Sequence, residues 1–204
     1  MSHPATNVPA MEMRTDRVGL LLDQHESSVG ISRERLAGLT DEEYRWEPVP
    51  DCWSIRRRGE AASPNPFGPG EWLLDWDDGH PRPDPFTTIA WRLGHLISMY
   101  VDRWEWTFGS RSIDPAVATD FTPSADKAQA MLWEKAERFA ASVAQMTDEQ
   151  LDVPGYGQYP YGLDPQLPFV SIVWWMNREL IHHTAEVAVL RDLYLRRDSL
   201  KGGG

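Results

Sequence analysis

The 204-residue sequence predicts an all-α fold, a four-helix bundle with long irregular loops and one small β-hairpin among them. Three observations carry this. The run from Phe169 to Arg197 holds no Gly or Pro, and Ile172, Trp175, Met176, Leu180, Val187, Leu190 and Tyr194 recur in it at helical spacing. Three more stretches, 15–39, 85–108 and 122–145, show the same periodicity between Gly- and Pro-rich segments. Hydrophobic residues make up 41% of the chain and ten are Trp, enough apolar surface for one packed core. The expected organisation is a flexible arm at 1–14, a single bundle domain at 15–197 and a tail at 198–204.

The first helix is expected over Thr15–Leu39, with Thr15 or Asp16 as its cap. Val18, Leu21, Leu22, His25, Val29, Leu36 and Leu39 form its apolar stripe. Thr40-Asp41-Glu42-Glu43 resembles a capping box and starts one short turn. Residues 48–85 are too rich in proline for a regular helix. Within them Cys52–Ile55 and Glu71–Trp76 read as strands that pair as a hairpin, and the whole segment reads as a lid over one end of the bundle.

The second long helix spans Pro85–Phe108 and ends at Gly109. Thr122-Pro123 opens the third, with Pro at the first helical position, and it runs to about Gln145. Thr147–Leu151 forms a short turn, Val153–Leu167 a second irregular loop with Tyr156, Tyr159 and Tyr161, and Pro168 starts the last helix.

Composition narrows the function. The formal net charge is −11 with Lys and Arg dispersed, which argues against nucleic acid or an anionic membrane as partner. Cys52 is the only cysteine, so an internal disulfide and a cysteine metal cage are excluded; the expected location is the cytoplasm. No apolar stretch approaches the ~20 residues of a membrane span, and residues 1–11 lack the apolar centre of a signal peptide. Gly-rich phosphate loops, dinucleotide fingerprints and nucleophile elbows are absent from the sequence.

Chemistry concentrates in N-R-E-L-I-H-H-T-A-E, residues 177–186. Glu179 and His183 stand four apart on one helical face, about 5–6 Å apart at Cβ. That face also carries Trp175, Met176 and Leu190, so a carboxylate and an imidazole there need partners. They can pair with each other, or they can share a cation with a third ligand. His95, in the middle of the apolar second helix, is the candidate third. Two His and one Glu suit zinc with a fourth position open; nickel, iron or manganese also accept such donors.

The segment N-R-E-L-I-H-H-T-A-E, the stretch E-P-V-P-D-C-W-S-I-R ending at Arg56, and T-T-I-A-W-R-L-G-H-L at 87–96 together resemble the DinB-like/YfiT-like superfamily, actinobacterial members in particular. The resemblance covers about Asp16 to Tyr194. It implies a four-helix bundle with a divalent metal at one end. The superfamily usually uses three His; the mycothiol-dependent maleylpyruvate isomerase branch places a Glu first in the pair on the last helix, as His95, Glu179 and His183 do here. The resemblance further implies thiol-dependent transferase or isomerase chemistry with mycothiol or a similar thiol, a small-molecule substrate, and often a homodimer. A metal-dependent hydrolase and a non-catalytic binding or stress-response protein are the rival readings.

Several neighbours have a structural and a functional reading. His182 points about 100° from His183 and is read as packing. His25 is read as a hydrogen-bonded core residue. Glu186 either orients a ligand or pairs with an Arg, and Arg92 either meets an anionic substrate or is ion-paired. Trp53, Trp72 and Trp76 are candidates for a pocket mouth. Cys52 is read as structural and Arg56-Arg57-Arg58 as a solvated turn.

Overall fold

The computed structural model describes residues 13–79, 81, 83–111, 118–156 and 166–201. The arm at 1–12, the end at 202–204, and Tyr159 and Tyr161 lie outside the described residues. The chain runs through α1 (Arg17–Leu36), α2 (Asp41–Tyr44), β1 (Ile55–Arg57), β2 (Trp72–Leu74), α3 (Ile89–Thr107), α4 (Ala125–Val143), a 3₁₀ turn at Gln150–Asp152, α5 (Phe169–Tyr194) and α6 (Arg197–Lys201). Four long helices and one two-stranded hairpin match the expected fold class.

Cross-links fix the directions of the four long helices. Asn177 and Arg35 tie α1 to α5 in parallel: Asn177 Nδ2 donates to Leu21 O at 2.8 Å and Arg35 donates to Asp192 at 2.9 Å. Arg17 meets Asp152 just beyond α4, and Arg33 meets Glu137 within it, so α1 and α4 are antiparallel. Arg92 meets Glu186 while Arg103 lies over Trp175, so α3 runs antiparallel to α5. The order is up, down, down, up. The core is one continuous cluster drawing on all four, with Leu36, Leu93, Leu96, Leu132, Phe139, Ile172 and Leu180 buried.

Two helix starts are capped from a distance and one helix end is tied from a distance, which the local sequence does not announce. Asp16 precedes α1 without a side-chain bond; Asp148 instead accepts the Arg17 and Val18 N–H groups at 3.0 and 2.9 Å. α4 begins two residues after Pro123, because Thr122 takes the Ser124 N–H and Asp41 of α2 takes the Ala125 N–H at 2.7 Å. The end of α5 is tied by Arg191, which bonds the buried Glu43 of α2 at 2.7 Å and the Ala37 carbonyl at 3.0 Å. Thr40 and Thr88 cap α2 and α3 in the expected local way.

The first strand of the lid begins later than expected. Ile55 pairs with Leu74 and Arg57 with Trp72, antiparallel. Trp53 is not free to join this ladder, because it bonds the chain entering α3: its N–H donates to Phe86 O at 2.8 Å and its carbonyl accepts from the Thr88 N–H at 3.0 Å. Asp75, fully buried, holds the lid together. Its carboxylate accepts from the N–H groups of Ser54, Ala62 and Ser63, the Ser63 hydroxyl and Arg56 Nε, all at 2.8–3.1 Å. The hairpin lies directly on α3: a Cβ on Gly94 would stand 2.9 Å from Leu74 Cδ1. Among the described residues no helix is long and apolar enough to cross a membrane.

Candidate metal centre

The antiparallel packing of α3 on α5 brings His95, Glu179 and His183 together. His183 Nε2 lies 3.2 Å from Glu179 Oε2, and His95 Nε2 lies 4.0 Å from the same oxygen. All three donor atoms fall within 4.8 Å of one another. The two imidazoles meet edge-on, with centroids 4.8 Å apart and planes at 87°. Donors bound to one ion at about 2.0–2.2 Å in a tetrahedral arrangement stand roughly 3.3 Å apart. The cluster needs only a small inward movement of His95 to reach that spacing, so the residues present fit a divalent ion. His95 is also the most exposed of the three, at 22% against 13% and 9% for the Glu179 and His183 side chains, so solvent reaches the cluster from its side.

Surrounding groups hold these donors in place. Glu186 Oε2 lies 2.7 Å from His183 Nδ1. When Nδ1 carries the proton and donates it to that carboxylate, the Nε2 lone pair is left facing the cluster. Arg92 Nη1 forms an ion pair with Glu186 Oε2 at 3.1 Å and lies 3.2 Å from His183 Nδ1, to which it donates in the tautomer that leaves Nδ1 unprotonated. Arg178 takes the other oxygen of Glu179, with Nη2 at 2.6 Å and Nε at 3.2 Å from Oε1, which reserves Oε2 for the cluster.

His95 is held by a stack. Trp91, one turn earlier on α3, lies 5.1 Å from it with planes at 8°, and Trp76 of the lid lies 6.4 Å beyond Trp91 at 4°. The Trp91 indole donates to the Asp75 carbonyl at 2.8 Å, so the lid sets the plane on which His95 rests. With no ion between them, His183 and His95 hydrogen-bond the Glu179 carboxyl and, with Arg178, hold it well below the usual carboxylate range. Burial pushes the His95 imidazole below its ordinary value, against the pull of Glu179. Both shifts favour the deprotonated forms that bind metal.

The other sequence-predicted residues separate clearly. Glu186 contacts both His183 Nδ1 and Arg92, and Arg92 is ion-paired. His25 is buried, with Nε2 3.2 Å from the Tyr100 hydroxyl, and takes no part in the cluster. Cys52 is buried, its thiol donating to the Val49 carbonyl, and burial raises its pKa. Of the lid tryptophans, Trp53 and Trp76 pack on Trp91, whereas Trp72 lies under Arg57.

Two expectations fail. His182 is 64% exposed and 3.7 Å from Glu186, because a turn of 100° carries it off the packed face into solvent. Of Arg56-Arg57-Arg58 only Arg58 lies in an exposed turn: Arg56 and Arg57 lie in β1, Arg56 reaches Asp75 and Glu47, and Arg58 donates to the Gly68 and Gly70 carbonyls. Trp91, Asp75 and Arg178 were missed as supports; only the adjacency of Arg178 to Glu179 and the one-turn spacing of Trp91 from His95 hint at them. A cleft of about 510 Å³ between α1 and α4 contains none of the three candidate ligands, so donor chemistry and not cavity size locates this site.

No curated protein and no solved structure matches the chain. The DinB superfamily matches over residues 24–187, a span that includes α3, the lid and all three members of the cluster. With four-fifths of its length inside that match, and with a His/Glu/His cluster that could hold a metal ion, this chain belongs to the DinB superfamily, a metal-binding family.

Proposed function

We propose that the protein is a divalent-metal-dependent enzyme of the thiol transferase or isomerase type, with His95, Glu179 and His183 holding the ion. The observation that carries the reading is the convergence of three donors within 4.8 Å, with Glu186 and Arg178 orienting two of them. Zinc suits two imidazoles and a carboxylate best; nickel, iron and manganese are the alternatives. When bound, such an ion lowers the pKa of a water or thiol at its open position. A low-molecular-weight thiol of the mycothiol type would reach it from the His95 side, and the lid would bound the space for a small-molecule substrate. The single buried Cys52 is consistent with work in the cytoplasm.

The test is elemental analysis of protein purified without a chelating column. About one ion per chain is expected, and most of it is lost in Glu179→Ala. Trace metal that Glu179→Ala leaves unchanged overturns the reading. Turnover screened with and without added mycothiol then separates the chemistries: dependence on thiol supports a transferase or isomerase, and thiol-independent ester or amide cleavage points to a metal-dependent hydrolase. A bound ion without turnover in either arm leaves a binding or stress-response role.

A further inference from the structure

The bundle holds a cleft on the side away from the metal centre. The cluster lies on α3 and α5, whereas the cleft of about 510 Å³ lies between α1 and α4. Its apolar walls are Leu22 and Val29 of α1 and Ala140, Ala141 and Ala144 of α4. Gly30 also lines it. A glycine inside a helix is unfavourable, and no close packing requires one here, since a Cβ at Gly30 would meet nothing within 4 Å. Larger side chains at Gly30 and the three alanines would fill the space. Its volume lies in the range of small-molecule pockets, about 300–1,000 Å³.

One buried polar atom faces this apolar space. His25 lines the cleft with only 4% of its surface exposed, and its Nε2 lies 3.2 Å from the Tyr100 hydroxyl. Its Nδ1 has no hydrogen-bond partner among the described residues and is not fully enclosed, so it opens on the cleft. Tyr100 fixes which nitrogen carries the proton. Its hydroxyl is buried, burial keeps it protonated, and Nε2 is its one partner among the described residues. Were Nε2 to donate, the hydroxyl proton would be buried without an acceptor. The pairing that satisfies both groups has the hydroxyl donating to Nε2, and Nδ1 then presents an N–H to the cleft. Burial holds the imidazole pKa at about 4, so the ring is a neutral donor at pH 7. The charged residues lining the cleft are already paired: Arg14 bonds Glu26 at 2.8 Å, and Glu137 meets Arg33. They leave no unpaired charge for an ionic ligand.

We propose that the α1/α4 cleft binds a neutral, mostly apolar small molecule through a carbonyl-type oxygen, with His25 Nδ1–H as the donor that orients it. Apolar walls supply the contact area and one buried donor supplies the specificity. The site is separate from the metal centre and binds whether or not an ion is held there.

Acetophenone, neutral and mostly apolar with one carbonyl, is the probe. Long-range proton–nitrogen NMR of the imidazoles, with His25 assigned by the loss of its signals in His25→Gln, is expected to show Nδ1 protonated and Nε2 bare before any addition. Titration with acetophenone is expected to move the Nδ1–H signal and the amides of residues 22–30 and 137–144 to saturation, with a Kd of about 1–10 mM for so small a molecule. Benzoate, similar in shape but charged, is expected to bind at least about tenfold more weakly, because burying a charge is costly. Gly30→Phe, which fills the cleft from a position with open space, is expected to abolish the acetophenone shifts with helical circular dichroism unchanged. Ala141→Leu, on the facing wall, is expected to weaken them in the same way. A bare Nδ1, shifts that do not saturate, shifts that both filling variants leave intact, or benzoate binding as tightly as acetophenone overturns the proposal.

Discussion

Glu179 and His183 face each other across one turn of α5, with Oε2 3.2 Å from Nε2. The same oxygen is the one His95 approaches from α3, so a single carboxylate atom links the two helices at the site. Glu179→Gln keeps the shape and removes the negative charge. We expect it to weaken metal binding by more than the 10–100-fold typical of an outer-shell partner. Competition against a chelating dye measures the change, and an affinity equal to wild type would remove Glu179 from the ligand set.

Glu186 should act through His183. Its carboxylate lies 2.7 Å from Nδ1, and losing it frees the imidazole to turn or to carry its proton on the other nitrogen. Glu186→Ala is expected to lower metal affinity about 10–100-fold while leaving one ion per chain at saturating metal. A loss of stoichiometry at saturation would instead make Glu186 a direct ligand.

His25 predicts a pH dependence of stability outside the metal centre. Burial holds its pKa near 4, against an ordinary value of 6.5. The unfolded chain therefore binds this proton at a higher pH than the folded one. Stability from this group is full above about pH 6.5 and is lost as pH falls towards 4, by about 3 kcal/mol at most. Urea unfolding of His25→Gln should show a flatter loss than wild type between those pH values. Parallel curves for the two proteins would count against a neutral buried His25.

Asp75 anchors the lid, so its removal should be felt both in stability and at the site. Asp75→Ala leaves Arg56 Nε and the N–H groups of Ser54, Ala62 and Ser63 without their acceptor, at a cost of about 3–5 kcal/mol in urea unfolding. Loosening the Trp76–Trp91–His95 stack should also reduce metal affinity. Amide exchange should rise first in residues 54–63 and 72–76. Protection that stays unchanged there would show that the hairpin is held by other contacts.

Much of the centre could be read before any coordinates. Glu179 and His183 are four apart in a helix free of Gly and Pro, and that spacing alone sets them on one face. His95 was legible because an imidazole in an otherwise apolar helix stands out. His182 was misread because adjacency in sequence suggested shared packing, while the helical turn separates it from His183. Arg56 was misread because its acceptor, Asp75, is nineteen residues away across a segment with no periodicity. The local candidates for the α1 cap are Thr15 and Asp16, yet the carboxylate that serves it is Asp148, 130 positions beyond the Val18 N–H it accepts.

The sequence by itself determined the four helices, the lid segment, the short turns with local caps and the three candidate ligands. Each follows from relationships within a few residues: periodicity, Gly and Pro placement, and the i, i+4 geometry of a helix. Only the tertiary structure decided that α3 runs antiparallel to α5 with His95 level with Glu179, that Trp91 and Trp76 brace it, and which helix faces remain bare. Those are contacts between segments far apart along the chain, and burial of apolar surface favours such contacts without encoding their register locally.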